Sequence, residues 1–445
     1  MADDFRYGAP VPVRGEAGAM DTLIIEGGAQ LGGEITVEGN KNAALPLLAA
    51  TLLTDEAVVL DNLPRIKDVA VMQQLLAALG CEGVELARTR VSLQTRQVLS
   101  SAPPPQLCRQ MRASFALAGP LLARTGSCTL PVPGGDRIGR RPVDTHVAAL
   151  QKLGASIEVF PDRYVMTAPR GLAGAEVFLE EMSVMATENV VMAASLAQGT
   201  TRIQNAASEP HVQDVCRLIV AMGGSIEGIG TNTLIVHGKP RLHGATFEVG
   251  PDYLEVGSFI ALAAMTGGPL LIKRARPSDH RMTAVAFGRL GVSWEERGDD
   301  VFVPANQRLE VMHGLHGAVA RIHDAPWPGF PADLISIAVV LATRCKGSIL
   351  IHEWMYESRL FWVDKLIAMG ARVTVCDPHR AIVEGPARLY GQTMSSPDIR
   401  AGMALLLAAL VAEGKSVIQN AQQIDRGYAN IDGRLRALGA RIERV

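Results

Sequence analysis

Six times along its 445 residues the chain writes a long apolar segment, a short strand-like run, and a second helical segment ending in a small-hydrophobe–glycine step. The steps stand in ALGCEGVEL, KLGASIEVF, AMGGSIEGI, RLGVSWEER, AMGARVTVC and ALGARIERV, with Gly80, Gly154, Gly223, Gly291, Gly370 and Gly439 about 70 residues apart. A repeat of that length constrains the fold more than composition does, because each copy must bury its apolar face on its neighbours. Glycine at the step fits a helix C-terminus that needs positive φ, with a strand starting at once. The matching first halves, among them LPLLAATLLTDEAVVLDN, FIALAAMTGGPLLIKR and MALLLAALVAEGKSVIQN, contain helices apolar nearly all round. Such helices belong inside a domain. The six units can stack as a solenoid, but two groups of three, each closed around its buried helices, is the division we expect.

With 48% hydrophobic residues the chain can bury a large core, and its length suits two or three domains. A formal net charge of −2 and 4% aromatic content argue against nucleic acid as a partner. No apolar run approaches the ~18 residues a membrane span needs. Residues 1–20 have early acids and no hydrophobic core of a secretory signal, so they read as a flexible extension of a cytoplasmic protein. Cys81, Cys108, Cys128, Cys216, Cys345 and Cys376 are scattered with no CxxC pair, which suits free thiols in a reducing compartment. The ten histidines show no HExxH-like spacing, and no metal is expected.

An anion site must therefore be a local cluster of cations. Just before or at the start of the buried helices stand Lys41–Asn42, Arg112, Glu188–Asn189, Asp252 with Glu255, Asp333, and Asp398 with Arg400. The loops after the short strands hold Arg65 and Lys67, Asp136 and Arg141, Glu209, Asp279 and Arg281, Arg359, and Arg426. A polar N-cap is commonplace. Lys41, Arg112 and Arg400 are not, because they add a cation where the helix dipole is already positive. That is the pattern of a site for a strongly anionic ligand.

The segments GNKNAALPLLAA, QMRASFALAGPL, PGGDRIGRRPVDTH, FPADL, DIRAG and IDRGY, in this order, resemble the UDP-N-acetylglucosamine 1-carboxyvinyltransferase family of the EPSP synthase-like superfamily, from about residue 22 onward. The resemblance implies an α/β fold of two inside-out α/β domains, each of three repeats of about 70 residues, with the active site between them. The first domain would be 21–41 plus 252–445 and the second 42–251, which carries the Asp136 loop. It implies transfer of the enolpyruvyl group of phosphoenolpyruvate to the 3′-hydroxyl of UDP-N-acetylglucosamine with release of phosphate. This is the first committed step of peptidoglycan synthesis, run without metal or organic cofactor by a monomer.

Residue by residue, Lys41 and Asn42 match the family's phosphoenolpyruvate-binding pair. Arg112, Arg141, Arg400 and Arg426 match its anion-binding arginines, with Arg426 counted among the catalytic groups. Arg141, Pro142, Val143, Asp144 and Thr145 match the uridine-binding stretch, as do Ser183 and Val184. Asp333 matches the carboxylate that contacts the acceptor hydroxyl and takes its proton; Met355 and Arg359 fall in a further substrate loop. Glu209 reads equally as a polar cleft residue or a helix cap.

Three positions depart from the common pattern. Asp136 stands where most members carry cysteine, Glu181 where some carry lysine, and Ala116 where some carry tryptophan. The loop residue is the family's acid for C3 of the enolpyruvyl group. An aspartate is a poor proton donor at neutral pH, and Arg137, Arg140 and Arg141 beside it favour its charged form. The substrate's negative charges and closure of the glycine-flanked loop act the other way, so the substrate itself makes the acid useful. Members with cysteine are alkylated by fosfomycin; an aspartate-loop member should resist it. Another uridine nucleotide or shikimate 3-phosphate as acceptor, and a non-catalytic nucleotide-sugar-binding protein, are the alternatives. RPVDTH favours a uridine nucleotide over shikimate 3-phosphate, and the presence of Lys41, Asp333 and the arginines favours an enzyme.

Overall fold

The computed structural model describes residues 21–136 and 138–445. The extension read in residues 1–20, and the charge read at Arg137, lie outside the described residues.

The six apolar segments form the helices Lys41–Ala50, Ala118–Thr125, Val184–Ala194, Tyr253–Thr266, Ile335–Ala342 and Ile399–Val411. Their lack of a polar face has the expected consequence: every residue of Ile335–Ala342 is buried, and so is every residue from Tyr253 to Met265. The second helices are Lys67–Ala78, Asp144–Lys152, Pro210–Ala221, Arg281–Gly288, Val363–Ala368 and Ile431–Ala437. After each, the glycine of the step has a φ between 80° and 104°. The amide that follows reaches back to the carbonyl five positions earlier, as Cys81 N to Leu76 O at 2.9 Å and Ala440 N to Leu435 O at 3.0 Å. This closure satisfies carbonyls the helix end would otherwise leave exposed, and it requires the left-handed residue that glycine supplies.

Among the described residues the strands make six sheets, five of them with one strand order. In the sheet that matters most below, Gly347–His352 runs parallel to Arg321–His323 and antiparallel to Arg380–Gly385, which pairs antiparallel with Arg372–Asp377. Four other sheets repeat that order, and Ser127–Pro131, Arg163–Thr167 and Ser156–Val159 form a three-stranded one. The first strands join sheets made from the C-terminal half: Leu23–Glu26 lies between Lys415–Gln419 and Arg441–Arg444, and Gly33–Thr36 lies beside Leu270–Lys273.

Contacts divide the chain into two units. One holds Gly39–Asp136 and Arg141–Gly250; the other holds 21–38, 138–140 and Pro251–Val445. Each contains three of the sheets. In the second unit the helices Tyr253–Thr266, Ile335–Ala342 and Ile399–Val411 pack on one another within one core. Each aliphatic side chain fully buried in such a core contributes about 1.5–3 kcal/mol. In the first unit Ala118–Thr125 packs on Val184–Ala194, while Lys41–Ala50 packs on Pro210–Ala221 and on the 3₁₀ turn Arg112–Leu117.

One expectation about the charged positions is corrected. Glu188 and Asn189 do not open a helix; they lie in the middle of Val184–Ala194 and are buried. Ser183 takes the N-cap instead, its hydroxyl accepting from Ala186 N at 3.4 Å. A short hydroxyl reaches the first free amides of a helix, which a longer glutamate does less well.

Candidate active site

In the first unit the predicted residues gather at helix starts. Lys41 is the first residue of its helix, capped by Asn40, whose side chain accepts from Asn42 N at 2.7 Å and Ala43 N at 3.2 Å. Lys41 Nζ lies 2.8 Å from Asp68 Oδ2 on Lys67–Ala78, and both side chains are nearly buried. The carboxylate offsets the cost of a buried cation at a helix N-terminus. Asn42 follows, half-buried.

Arg112 opens the 3₁₀ turn that runs into Ala118–Thr125, and the junction is tied by buried Asn189. Its Oδ1 accepts from Gly119 N at 2.8 Å, and its Nδ2 donates to Phe115 O at 3.0 Å. A Cβ on Gly119 would stand 2.4 Å from Asn189 O, so glycine permits the approach. Asn189 Nδ2 is also 3.0 Å from His146 Nδ1. Burial, reinforced by the nearby charge of Arg112, lowers the His146 pKa to about 3, so the neutral ring accepts that bond.

The loop after Ser127–Pro131 is built on two glycines. A Cβ on Gly134 would fall 1.7 Å from Arg109 O, and Gly135 has a φ of 107° with Arg112 and Arg141 beside it. Arg112 Nη2 donates to Pro142 O at 3.1 Å, and Arg141 Nη2 donates to the backbone oxygen of Asp136 at 2.5 Å. Arg112, Asp136, Arg141 and Pro142 are therefore one cluster. Val143 precedes the helix that Asp144 and Thr145 begin; Val143 and Thr145 are buried, Pro142 and Asp144 exposed. Ser183 and Val184 stand at the start of another helix, with exposed Glu181 just before them. Glu209 occupies the N-cap position of Pro210–Ala221, but its side chain makes no capping bond.

In the second unit Asp333 sits in the 3₁₀ turn Ala332–Leu334 that leads into Ile335–Ala342. Arg359 Nη2 reaches its Oδ1 at 2.7 Å, and Arg400 Nε reaches its Oδ2 at 3.0 Å. Both arginines are buried, while Asp333 is partly open. Arg400 is held in turn: Asp398 caps its helix, accepting from Arg400 N at 2.8 Å, and Arg400 Nη1 lies 3.3 Å from Tyr428 Oη. Asp252 caps Tyr253–Thr266; burial raises its pKa to about 6, against the pull of Arg400. Met355 N donates to Asp324 Oδ2 at 3.3 Å, and Arg426 Nη1 donates to Gln423 Oε1 at 3.1 Å. A carboxylate gripped at both oxygens by planar guanidinium groups has a fixed orientation, which a proton acceptor needs.

Sequence reading missed Asp68, Asp324 and Glu353, and it gave no tying role to Asn189 or to Tyr428 of IDRGY. Asn189 left a signal, a lone amide inside an apolar helix; Asp68 looked like an ordinary first-turn acid. Among the described residues no group of His, Cys, Asp and Glu is arranged to hold a metal ion, and no helix is long and apolar enough to cross a membrane.

Residues 25–435 match the family model described as EPSP synthase (3-phosphoshikimate 1-carboxyvinyltransferase). The UDP-N-acetylglucosamine 1-carboxyvinyltransferase of Bradyrhizobium diazoefficiens is 54% identical over 95% of this chain and 97% of its own. That of Treponema denticola is 50% identical over 95% of this chain and 99% of its own. Among solved structures, the enolpyruvyl transferase NikO from Streptomyces tendae superposes with a TM-score of 0.85 at 24% identity, covering 96% of this chain and 99% of its own. EPSP synthase from Acinetobacter baumannii superposes at 0.74 and 17% identity over 96% of this chain and 100% of its own. At these identities the likeness is one of fold: a two-domain α/β architecture.

Proposed function

The chain belongs to the EPSP synthase family, among its UDP-N-acetylglucosamine 1-carboxyvinyltransferases, and from that premise we infer how its residues share the work. It transfers the enolpyruvyl group of phosphoenolpyruvate to the 3′-hydroxyl of UDP-N-acetylglucosamine in peptidoglycan precursor synthesis. The observation that carries this conclusion is the 54% identity sustained over 95% of the chain.

We assign Asp333 to take the proton of the acceptor hydroxyl as its oxygen attacks C2 of the enolpyruvyl group. Asp136 delivers a proton to C3 of the same double bond, giving a tetrahedral intermediate. A proton then leaves C3 as the C2–O bond to phosphate breaks, restoring the double bond and releasing phosphate. Lys41, Asn42, Arg112, Arg400 and Arg426 bind the phosphate and carboxylate of phosphoenolpyruvate, by point charge and planar fork respectively. Arg141, Pro142, Val143, Asp144, Thr145, Ser183 and Val184 hold the uridine nucleotide, and Met355 and Arg359 complete the acceptor side. The clamp on Asp333 and the loop cluster around Asp136 support this division. Chemistry of this type needs no cofactor. We take the protein to act as a cytoplasmic monomer, and its two units to be domains of three repeats each.

The test is a phosphate-release assay with phosphoenolpyruvate and, in turn, UDP-N-acetylglucosamine, UMP and shikimate 3-phosphate. Turnover confined to the nucleotide sugar is expected; preference for UMP or shikimate 3-phosphate would move the acceptor assignment, and binding without turnover would make the protein a sensor.

A further inference from the structure

Behind Asp333 lies a pair of acids that the reaction does not use. The parallel strands Arg321–His323 and Gly347–His352 are in register at His323 and His352, so Asp324 and Glu353 leave the sheet side by side. Both residues are fully buried. Their carboxyl groups lie within hydrogen-bonding reach of each other, which requires a hydrogen on one of them. Two buried carboxylates in contact would repel in a medium that screens poorly, and a single shared proton removes that cost.

The surroundings say which acid carries it. Asp324 Oδ1 accepts from Trp354 N at 2.8 Å and its Oδ2 from Met355 N at 3.3 Å, so an amide donor occupies each of its oxygens. Glu353 Oε1 accepts one amide, Tyr356 N at 3.1 Å. Its Oε2 faces Arg359 Nε at 3.7 Å, beyond a hydrogen bond. Burial first, and then Asp324, raise the Glu353 pKa to about 9. Nearby, the Arg359 guanidinium lies over the Tyr356 ring and feels the charges of Asp333 and Asp398, and His379 Nδ1 lies 2.7 Å from the Glu353 backbone oxygen.

We propose that Asp324 and Glu353 hold one proton between them and, as that pair, position Arg359 against Asp333. The three amides they bind are consecutive, so the pair fixes the turn 354–356 and with it the guanidinium three residues on. With the proton in place Arg359 turns its Nη2 to Asp333 and stands off from Glu353. Loss of the proton would put a second buried negative charge beside Arg359 and draw it away from Asp333. Glu353 is thus a positioning residue, on the reading that Asp333 serves the acceptor hydroxyl.

Glu353→Gln tests this, because an amide donates to Asp324 and accepts from Tyr356 N as the protonated acid does. Its kcat at pH 7.5 should stay within about threefold of the unaltered protein. The unaltered protein should lose kcat as pH rises through about 9, the value for Glu353, and the variant should lack that limb. Melting gives a second readout. An acid whose folded pKa is raised stabilises most below its unfolded pKa and loses that contribution as pH rises through the folded value. The fall in Tm from pH 6 to 9 should therefore be shallower in Glu353→Gln. Glu353→Ala, lacking the donor, should lose at least about tenfold in kcat with a smaller change in KM. A glutamine variant that keeps both the alkaline limb and the melting slope overturns the proposal, as does one that falls as far as alanine. Melting needs no substrate: a shallower slope in a protein that never turns over supports the shared proton and sinks the reaction reading instead.

Discussion

The two units hold their arginines in different ways. In the first, Arg112 and Arg141 donate to the backbone oxygens of Pro142 and Asp136. In the second, Arg359 and Arg400 grip the carboxylate of Asp333. A carbonyl dipole orients a guanidinium while leaving its net charge in place; a carboxylate orients it and cancels that charge. The bonds of Arg112 and Arg141 tie loop segments together, and those of Arg359 and Arg400 keep one carboxylate aimed. Lys41 is the first unit's exception, with Asp68 at 2.8 Å. A lysine is a point charge on a flexible stem, so it can turn towards a more highly charged phosphate without rebuilding its surroundings.

The sharpest way to break this contrast is at Lys41. Lys41→Ala should lower kcat/KM by about 10³-fold or more, about 4 kcal/mol of transition-state stabilisation. Near-normal phosphate release by that variant would remove Lys41 from the anion site. Asp333→Asn should come next, with kcat down by roughly 10²- to 10³-fold, since an amide accepts no proton. Affinity for the nucleotide sugar, measured by calorimetry, should change by less than about threefold. An equal loss in affinity and rate would make Asp333 a binding group and leave the clamp without a catalytic purpose.

Asp136 sharpens the comparison, because it lies in the carbonyl-held cluster. Asp136→Asn should keep nucleotide binding and lose about 10²-fold in turnover; Asp136→Cys should retain more, as a thiol can deliver the same proton. The unaltered protein should resist fosfomycin, since an arginine-flanked carboxylate is a far weaker nucleophile towards an epoxide than a thiolate. The native thiols offer no substitute. Cys81, Cys108, Cys128, Cys216 and Cys345 are buried, and burial pushes Cys108 up to about 11 and Cys216 and Cys345 to about 12. Exposed Cys376 lies on the strand Arg372–Asp377, away from the loop in sequence. Asp136→Cys should gain time-dependent inactivation, read by intact-mass spectrometry. Inactivation of the unaltered protein with an adduct on any residue would overturn the account.

How much of this was legible depends on the range of the interaction. The six glycine steps were readable because a left-handed helix end is decided within a few residues, and the buried helices because their sequences have no polar face. The identity of the site residues was readable from motifs, but their arrangement was not. Arg359 and Arg400 meet Asp333 from 26 and 67 residues away, and nothing local to FPADL or DIRAG announces that both carboxylate oxygens are claimed. Glu188 and Asn189 were misplaced at a helix start because polar residues there are the common case. Asn189 is needed mid-helix to satisfy backbone groups where the Arg112 turn meets the next helix, a need visible only once the two elements touch.

The smallest effect is expected at Glu188, and it separates the two units once more. Its carboxyl is buried in the middle of Val184–Ala194, and its Oε1 has no hydrogen-bond partner among the described residues. Burial, and then the charge of Glu209, push its pKa well above the ordinary value. The folded protein therefore keeps a proton that the unfolded chain releases in mild acid, and stability falls as pH rises above the unfolded value. Glutamine has no such proton. Glu188→Gln should match the unaltered protein in Tm near pH 4 and exceed it by about 2 °C at pH 8. Turnover should stay within about twofold, because Glu188 makes none of the bonds that hold Arg112, Arg141 or Asp136. Glu353→Gln changes the pH dependence of melting and of rate together; Glu188→Gln should change melting alone. A Glu188→Gln protein with an unaltered melting slope and a tenfold loss of turnover would place this acid in the first unit's working machinery, and the division between a buried structural acid there and a positioning acid in the second unit would fall.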